Sequence, residues 1–258
     1  MSSDSTLALA LLVGFAFAAA GVVKGVIGFG LPTVAMGLLS LAMAPAEAAM
    51  LLVVPSLVTN LWQLLAGPRL AAISRRLATM MLGVVVGTLL GIGVLTGSSS
   101  VLAAGALGAV LAVYGAFGLS ARRFTVRPSA EPRLAPVIGL LTGLVTGATG
   151  IFAIPAVPYL NSLDLSKDEL IQALGLAFTV STLALAAGLA LSGSFRWSAA
   201  TASLLAVVPA VAGMAAGQFL RSRLRPEAFR RGFFIGLVML GLYMVARTLL
   251  HGPGSGAG

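Results

Sequence analysis

The stretch VKGVIGFGLPTV, residues 23–34, decides the fold class because it combines features that an ordinary membrane helix avoids. A lysine stands among three glycines, and Pro32 follows them in strongly apolar surroundings. Glycine costs a helix interior about 1 kcal/mol relative to alanine, and proline removes a backbone donor and clashes with the preceding turn. The pattern therefore predicts a helix that breaks inside an apolar layer, where its freed N–H and C=O groups need protein or water around them.

Composition places this stretch in a polytopic membrane protein. The chain has 258 residues, of which 59% are hydrophobic and 9% are charged, and its mean hydropathy is +1.05. Soluble domains carry far more charge. Apolar runs long enough to cross about 30 Å of hydrocarbon recur between short polar breaks. The first run follows a leader without Lys or Arg, so we interpret it as a retained membrane helix and not as a secretory signal.

The formal net charge of +9 indicates orientation. The basic residues lie in the breaks between apolar runs and are not interleaved with aromatic residues on a soluble face, so no nucleic-acid partner is expected. Cytoplasmic loops of membrane proteins are enriched in Lys and Arg. The arginine-rich breaks at 69–76, 122–133 and 221–231 are therefore predicted to be cytoplasmic, which places both termini outside the cytoplasm.

The two halves of the chain resemble each other. The glycines of GVVKGVIGFG, residues 21–30, match those of GLVTGATGIF, residues 143–152, at an offset of 122, the difference between 143 and 21. At the same offset Thr59 falls opposite Ser181. The arginine-rich breaks occupy opposite positions in the two halves. Two copies of five segments, an odd number, must face opposite ways, so we predict an inverted duplication.

The sequence thus predicts an all-α polytopic membrane protein with about ten membrane helices or half-helices in two inverted five-segment repeats with broken helices. The apolar segments lie at about 6–22, 25–43, 46–66, 77–96, 99–119, 135–149, 151–163, 170–191, 198–219 and 231–250. The predicted organisation is a first membrane repeat at 1–121, a basic cytoplasmic linker at 122–134, a second membrane repeat at 135–251 and a C-terminal tail at 252–258.

The glycine motifs admit two interpretations. Small residues four apart let helices pack closely. We prefer that interpretation for the glycines of 83–91, and we expect Glu47 and Glu169 to cap the helices that they begin. For the opening motifs we prefer a binding role, because packing requires neither Lys24 nor the prolines, and broken helices at matching positions of two halves indicate a transporter site.

Lys24 is the charge that such a site would use. A lysine near the bilayer centre costs at least about 2.5–3.5 kcal/mol and normally has a functional partner, whereas one near an interface reaches water. A hairpin that turns inside the membrane would place Lys24 deep, and we favour this over two full crossings. No acid lies nearby in the sequence. An anion is therefore the expected ligand, helped by the open N–H groups of half-helix N-termini.

Small polar residues of the third and eighth segments complete the candidate site. Taken singly they fit ordinary interhelical hydrogen bonds equally well, and the coincidence of Thr59 with Ser181 favours the site. The predicted substrate-binding residues are Lys24, Gly25, Gly28, Phe29, Gly30, Pro32, Thr59, Asn60, Gln63, Gly147, Gly150, Ile151, Phe152, Thr179 and Ser181.

The sequence lacks the usual catalytic motifs of an enzyme. It contains no cysteine, no HExxH motif, no nucleotide-binding glycine loop of the G-x-x-x-x-G-K-[ST] kind, and a single histidine, His251, near the C-terminus. We therefore expect no catalytic residues, no metal site and no cofactor.

At these residues the chain resembles the sulfite exporter TauE/SafE family, also called the 4-toluene sulfonate uptake permease family. The first motif is KGVIGFGLP at 24–32 and the second is TGATGIFAIP at 146–155, and the resemblance spans almost the whole chain. The second copy departs from the first, because Thr146 takes the place of the lysine.

The resemblance implies a bacterial inner-membrane secondary carrier for sulfite, thiosulfate or organosulfonates such as sulfoacetate, with export as the usual direction. The expected partners are a small anionic sulfur-containing substrate and the lipid bilayer, with a proton as a candidate coupling ion and a homodimer as a candidate assembly. A passive anion channel and a membrane scaffold without transport are the alternatives.

Overall fold

The computed structural model describes residues 3–97, 99–120, 125–194, 197–223 and 225–250. Within these ranges all regular secondary structure is helical. The α-helices in chain order are α1 (Ser3–Ile27), α2 (Leu31–Leu39), α3 (Pro45–Leu65), α4 (Leu70–Arg76), α5 (Ala78–Thr96), α6 (Ser100–Leu119), α7 (Glu131–Thr149), α8 (Ala156–Ser162), α9 (Lys167–Leu191), α10 (Trp197–Leu205), α11 (Val207–Arg221) and α12 (Pro226–Leu250).

Seven stretches of the described chain are long and apolar enough to cross a membrane, so the protein is a multi-pass membrane protein. Large apolar side chains cover their outer faces, as lipid contact requires. The stretches are Leu7–Ile27, Pro45–Leu65, Ala78–Thr96, Ser100–Leu119, Lys167–Leu191, Thr201–Arg221 and Glu227–Leu250.

Some of the residues named in the sequence analysis lie outside the described ranges, and one predicted boundary differs from the structure. Arg122, Arg123, His251 and the tail at 252–258 lie outside the described residues. The helix α7 begins at Glu131, inside the predicted linker, and therefore starts four residues before the predicted second repeat.

The helix break in the first half comes later than the predicted segment boundary. We expected a boundary between residues 22 and 25, which is wrong, because α1 continues to Ile27 and carries Lys24 in its last turn. The helix ends at Gly28 and Gly30, whose φ angles of 87° and 100° suit glycine and strain other residues. Pro32 then lies in the first turn of α2, where the missing N–H breaks no helical hydrogen bond.

The second half is interrupted at the matching place. The helix α7 ends at Thr149, and Gly150 follows it with a φ of 72°. The next helix, α8, begins at Ala156 directly after Pro155. Each opening motif thus separates a long helix from a short one.

The helices α1 and α11 pack in parallel with their backbones in contact. A Cβ atom at Gly21 would lie 2.2 Å from the carbonyl oxygen of Ala210, and one at Gly25 would lie 2.3 Å from that of Met214. Residue numbers rise together along the two helices, which makes them parallel. Close packing accounts for the glycine at both positions.

The helices α5 and α7 form a second parallel pair of the same kind. A Cβ atom at Gly87 would lie 2.2 Å from the oxygen of Leu140, and one at Gly147 would lie 2.2 Å from that of Thr88. The glycines of 83–91 therefore serve helix packing, as predicted, and they face the glycines of the second opening motif.

Two further pairs are antiparallel. In α3 and α9, Gly175 lies against the backbone of Leu64, whereas Glu169, earlier in α9, pairs with Arg69, which follows α3. In α6 and α12, Gly105 lies against Thr248, and Gly118, later in α6, lies against Phe234, earlier in α12. Residue numbers rise along one helix of each pair as they fall along the other.

Of the two acidic residues predicted to cap helix starts, Glu169 makes a cap, and α3, which Glu47 was predicted to cap, has no side-chain cap hydrogen bond. Glu169 accepts a hydrogen bond from the backbone N–H of Ser166 at 2.9 Å, and the Ser166 hydroxyl accepts one from the Glu169 N–H, which completes a capping box. Glu47 lies in the first turn of α3. Glu131, in the first turn of α7, binds Arg76 through both carboxylate oxygens, and this hydrogen bonding raises the pKa of the Arg76 guanidinium.

Candidate anion site

Lys24 projects from the last turn of α1 onto the middle of α3. Its side chain is buried, with the residue 4% exposed. The ammonium donates hydrogen bonds to the hydroxyl oxygen of Thr59, at 3.1 Å, and to the side-chain oxygen of Asn60. The Thr59 hydroxyl in turn donates to the carbonyl of Pro55 at 2.8 Å. We call Lys24, Thr59 and Asn60, together with Gln63, the Lys24 cluster.

Neutral oxygen atoms are the hydrogen-bond partners that Lys24 has within the described residues. The ion pairs in that part of the chain are Arg69–Glu169 and Arg76–Glu131, and neither includes Lys24. An ammonium has three N–H donors, and Thr59 and Asn60 take two of them. A buried positive charge without a counter-charge is costly, so the cluster would be stabilised by an anion.

Further polar atoms in the cluster and on neighbouring turns are buried without a partner among the described residues. These atoms are the side-chain nitrogen of Asn60, the side-chain oxygen of Gln63 and the hydroxyls of Ser56 and Ser181. The Asn60 nitrogen and the hydroxyls are donors, which an anion requires. The sequence analysis did not single out Ser56, and no motif marks it.

The antiparallel packing of α3 and α9 brings Ser181 to the height of this cluster. Gly175 contacts Leu64, and six residues farther along α9 is about 9 Å, which corresponds to the level of Val58 and Thr59 on α3. Thr179 lies nearby on the same helix, but its hydroxyl donates to the carbonyl of its own helix at Gly175, at 2.7 Å.

The break after α1 is tied to the Lys24 cluster. The side-chain nitrogen of Gln63 donates to the carbonyl of Gly28 at 3.0 Å. The space beside the Gly28 Cα is open, since a Cβ atom there would meet nothing within 4 Å. Phe29 is half-buried against the core, and the Cα of Gly30 faces Val23 and the ring of Phe233. The break thus contacts the Lys24 cluster through Gln63 and has open space beside Gly28.

At the second break the polar groups form hydrogen bonds within the same segment of the chain. Thr146, at the position that matches Lys24, donates its hydroxyl to the carbonyls of Thr142 and Ile151, at 2.8 and 3.2 Å. Ile151 and Phe152 are buried, and the Phe152 ring packs on that of Phe178. No charged group takes part in these contacts.

The predicted site residues thus fall into two groups. The structure joins Lys24, Thr59, Asn60, Gln63 and Gly28 by hydrogen bonds. In the described part of the chain no hydrogen bond links that group to the second-half residues. The assignment of either group, and of the closely packed Gly25, to a substrate site stays a prediction; the second-half residues concerned are Gly147, Gly150, Ile151 and Phe152.

Ser203 holds the part of α3 that precedes the cluster. Pro55 lies inside α3, where its missing N–H leaves the carbonyl of Leu51 without a helical partner. The buried Ser203 hydroxyl, from α10, donates to that carbonyl at 2.8 Å and accepts from the N–H of Val54 at 3.1 Å. Pro55 in the sequence indicates that the carbonyl of Leu51 needs another hydrogen-bond donor. No sequence pattern identifies the residue that supplies this donor.

Replacing Ser203 by alanine is expected to destabilise the protein by about 1 kcal/mol, because two backbone groups of α3 lose their partner. The affinity of the Lys24 cluster for an anion should fall with it, since α3 would shift one turn before Thr59. The measurement is thermal unfolding of the purified protein with and without sulfite. Ser222→Ala is the control, because that exposed hydroxyl bonds only within its own turn. Equal unfolding temperatures for both variants would contradict the role of Ser203.

Comparison with known proteins gives one match. The profile of the sulfite exporter TauE/SafE family matches residues 12–244. The matched range includes both interrupted helices and the whole Lys24 cluster. No curated protein sequence and no solved structure matches the chain.

Proposed function

The chain belongs to the sulfite exporter TauE/SafE family, and from this premise we propose that it is a secondary transporter that exports sulfite or a small organosulfonate by alternating access. The observation that carries the substrate class is the buried ammonium of Lys24, which neutral oxygens hold and no described carboxylate neutralises. A cationic substrate would add charge to this place. A small anion would remove the imbalance.

An inverted duplication is the architecture that we propose. If α7, α9, α11 and α12 are the counterparts of α1, α3, α5 and α6, a two-fold axis in the membrane plane requires each helix to run opposite to its counterpart. The antiparallel pairs α3–α9 and α6–α12 support this, because an axis along the membrane normal would leave them parallel. The parallel pair α1–α11 also exchanges with α7–α5 under the same operation.

The same pairing suggests which parts move. The pairs α1–α11 and α5–α7 are in backbone contact through their glycines, so each should move as a unit. Alternating access would then rock one pair against the other around α3 and α9, which carry Asn60 and Ser181. In the present structure Lys24 is closed off, and we take this as an occluded arrangement.

The proposed location is the bacterial inner membrane, with both termini outside the cytoplasm. Support for the orientation comes from the arginines around α4, before α7 and between α11 and α12, which gather at one end of the bundle. Arg196 lies outside the described residues.

Counterflow in proteoliposomes tests the transport proposal. Vesicles loaded with unlabelled sulfite, sulfoacetate or thiosulfate should accumulate the labelled anion transiently, with saturation, because a carrier exchanges substrate faster than it equilibrates it. A pH gradient applied in either direction examines the proton as coupling ion. A passive channel would equilibrate the label without counterflow, and a scaffold would leave it outside, so either result would overturn the proposal.

A further inference from the structure

A cavity lies at the opposite end of α3 from the Lys24 cluster. Its volume is about 410 Å³, and it opens between the 40–44 loop, the start of α6 and the end of α12. Pro45, which lines it, precedes Thr59 by 14 residues, a distance of about 21 Å along the helix. We call this cavity the outer cleft. Among the residues that line it are Ser40, Leu41, Ser100, Val101, Met244 and Arg247.

Arg247 brings a positive charge to the outer cleft. It lies in the last turn of α12, and its guanidinium donates to the carbonyl of Leu41 at 3.2 Å. The other arginines that the structure describes lie at the opposite end of the bundle. An arginine at this end runs against the usual distribution of charge in membrane proteins, which calls for a local reason.

Ser40 supplies an unused hydroxyl in the same cavity. The residue is 8% exposed, and its hydroxyl oxygen has no hydrogen-bond partner among the described residues. Buried hydroxyls are normally paired, so the Ser40 hydroxyl is a hydrogen-bonding group that the described residues leave unused at the wall of this cavity.

The N-terminus of α6 adds backbone donors and a favourable dipole. The Ser99 hydroxyl caps the N–H of Leu102, which leaves the N–H groups of Ser100 and Val101 as first-turn donors beside the cleft. The positive end of a 20-residue helix attracts anions. No Asp or Glu is among the lining residues, and Glu47, in the first turn of α3, is exposed and outside the lining.

We propose that the outer cleft is a second anion-binding site, which takes a small free oxyanion such as sulfite. Three kinds of donor converge on it: the Arg247 guanidinium, the Ser40 hydroxyl and the N–H groups at the start of α6. Binding to the cleft is independent of transport. Its use as the place where the exported anion leaves the protein rests on the proposed function.

Calorimetric titration of sulfite into full-length protein in nanodiscs of zwitterionic lipid tests the site. The Lys24→Met background removes the charge of the Lys24 cluster, so the remaining saturable binding should belong to the outer cleft. Adding Arg247→Gln should weaken that binding at least tenfold, and Ser40→Ala should weaken it severalfold. Arg247→Lys should retain most of it, because the charge remains. Arg223→Gln is the control, since Arg223 lies over the Phe219 ring and outside the cleft.

Three results would overturn the proposal. The first is no sulfite binding in the Lys24→Met background, and the second is equal binding by the Arg247→Gln and Arg223→Gln variants. The third is binding of phosphatidylglycerol, added to the nanodiscs, in place of sulfite, which would make a lipid headgroup the occupant. If Lys24→Met does not fold, the wild-type protein should show two classes of site, one of which Arg247→Gln removes. Failed counterflow with intact binding at the cleft would count against the transport proposal alone.

Discussion

Replacing Lys24 by methionine is expected to lower the affinity of the Lys24 cluster for sulfite at least tenfold, or about 1.4 kcal/mol. Methionine keeps most of the volume and loses the ammonium, so the donors left to the anion are neutral. Counterflow should fall in parallel. The measurement is sulfite titration of the Arg247→Gln protein with and without Lys24→Met, which isolates this site from the outer cleft.

A second lysine provides a matched control for this prediction, and one experimental outcome would contradict it. Lys167, the other lysine of the sequence, is exposed at the start of α9, so Lys167→Met should leave sulfite affinity unchanged. An alternative hypothesis is that Lys24 only stabilises the contact between α1 and α3 and does not bind the anion. In that case Lys24→Met would lower the unfolding temperature in sulfite-free buffer and leave the affinity of the folded protein as it was.

Replacing Gly143 by alanine is expected to cost about 3 kcal/mol of folding stability, because the methyl group has no room. Its Cβ would lie 2.2 Å from the carbonyl oxygen of Val84, 2.7 Å from the backbone nitrogen of Thr88 and 2.8 Å from the Cα of Gly87. All three atoms belong to the backbone of α5, so no side-chain rotation relieves the contact. The two helices must separate or the chain must fail to fold.

Gly93→Ala provides the comparison on the same pair of helices. A Cβ atom there would meet nothing within 4 Å, and alanine favours a helix by up to about 1 kcal/mol, so this variant should be as stable as the parent or slightly more so. Size-exclusion profiles and unfolding temperatures of the detergent-purified variants measure the difference. Equal stability of Gly143→Ala and Gly93→Ala would show that α5 and α7 are farther apart than the structure has them.

The positions of the two breaks could be predicted from the sequence, and the segment boundary near Lys24 could not. Gly28 and Gly150 adopt positive φ angles, and Pro32 and Pro155 lie at the starts of the next helices. These features depend only on residues that are close in the sequence. The end of α1 is different, since the helix continues past Lys24 to Ile27, and the Lys24 side chain has its partners on α3. Helix propensity depends on neighbouring residues and cannot indicate a hydrogen-bond partner on another helix.

The role of the opening glycines was decided by the fold. The sequence favoured a binding role for Gly25 and Gly147, and spacing alone cannot say which helix lies against them. The structure places both against backbone atoms of another helix, at distances that leave no space for a side chain. Gly28, three residues after Gly25, faces open space instead. Two glycines of one motif thus have different surroundings.

By itself the sequence determined the properties that follow from composition and from neighbouring residues: a multi-pass helical membrane protein, two interrupted helices and a helix start capped by Glu169. The tertiary structure alone decided that Lys24 meets Asn60, 36 residues away, and that Ser203 supplies the donor that Pro55 removes from Leu51, 152 residues earlier. The physical reason is that helix propensity and hydropathy act within a few turns. Polar partners inside an apolar layer are chosen by which helices pack together.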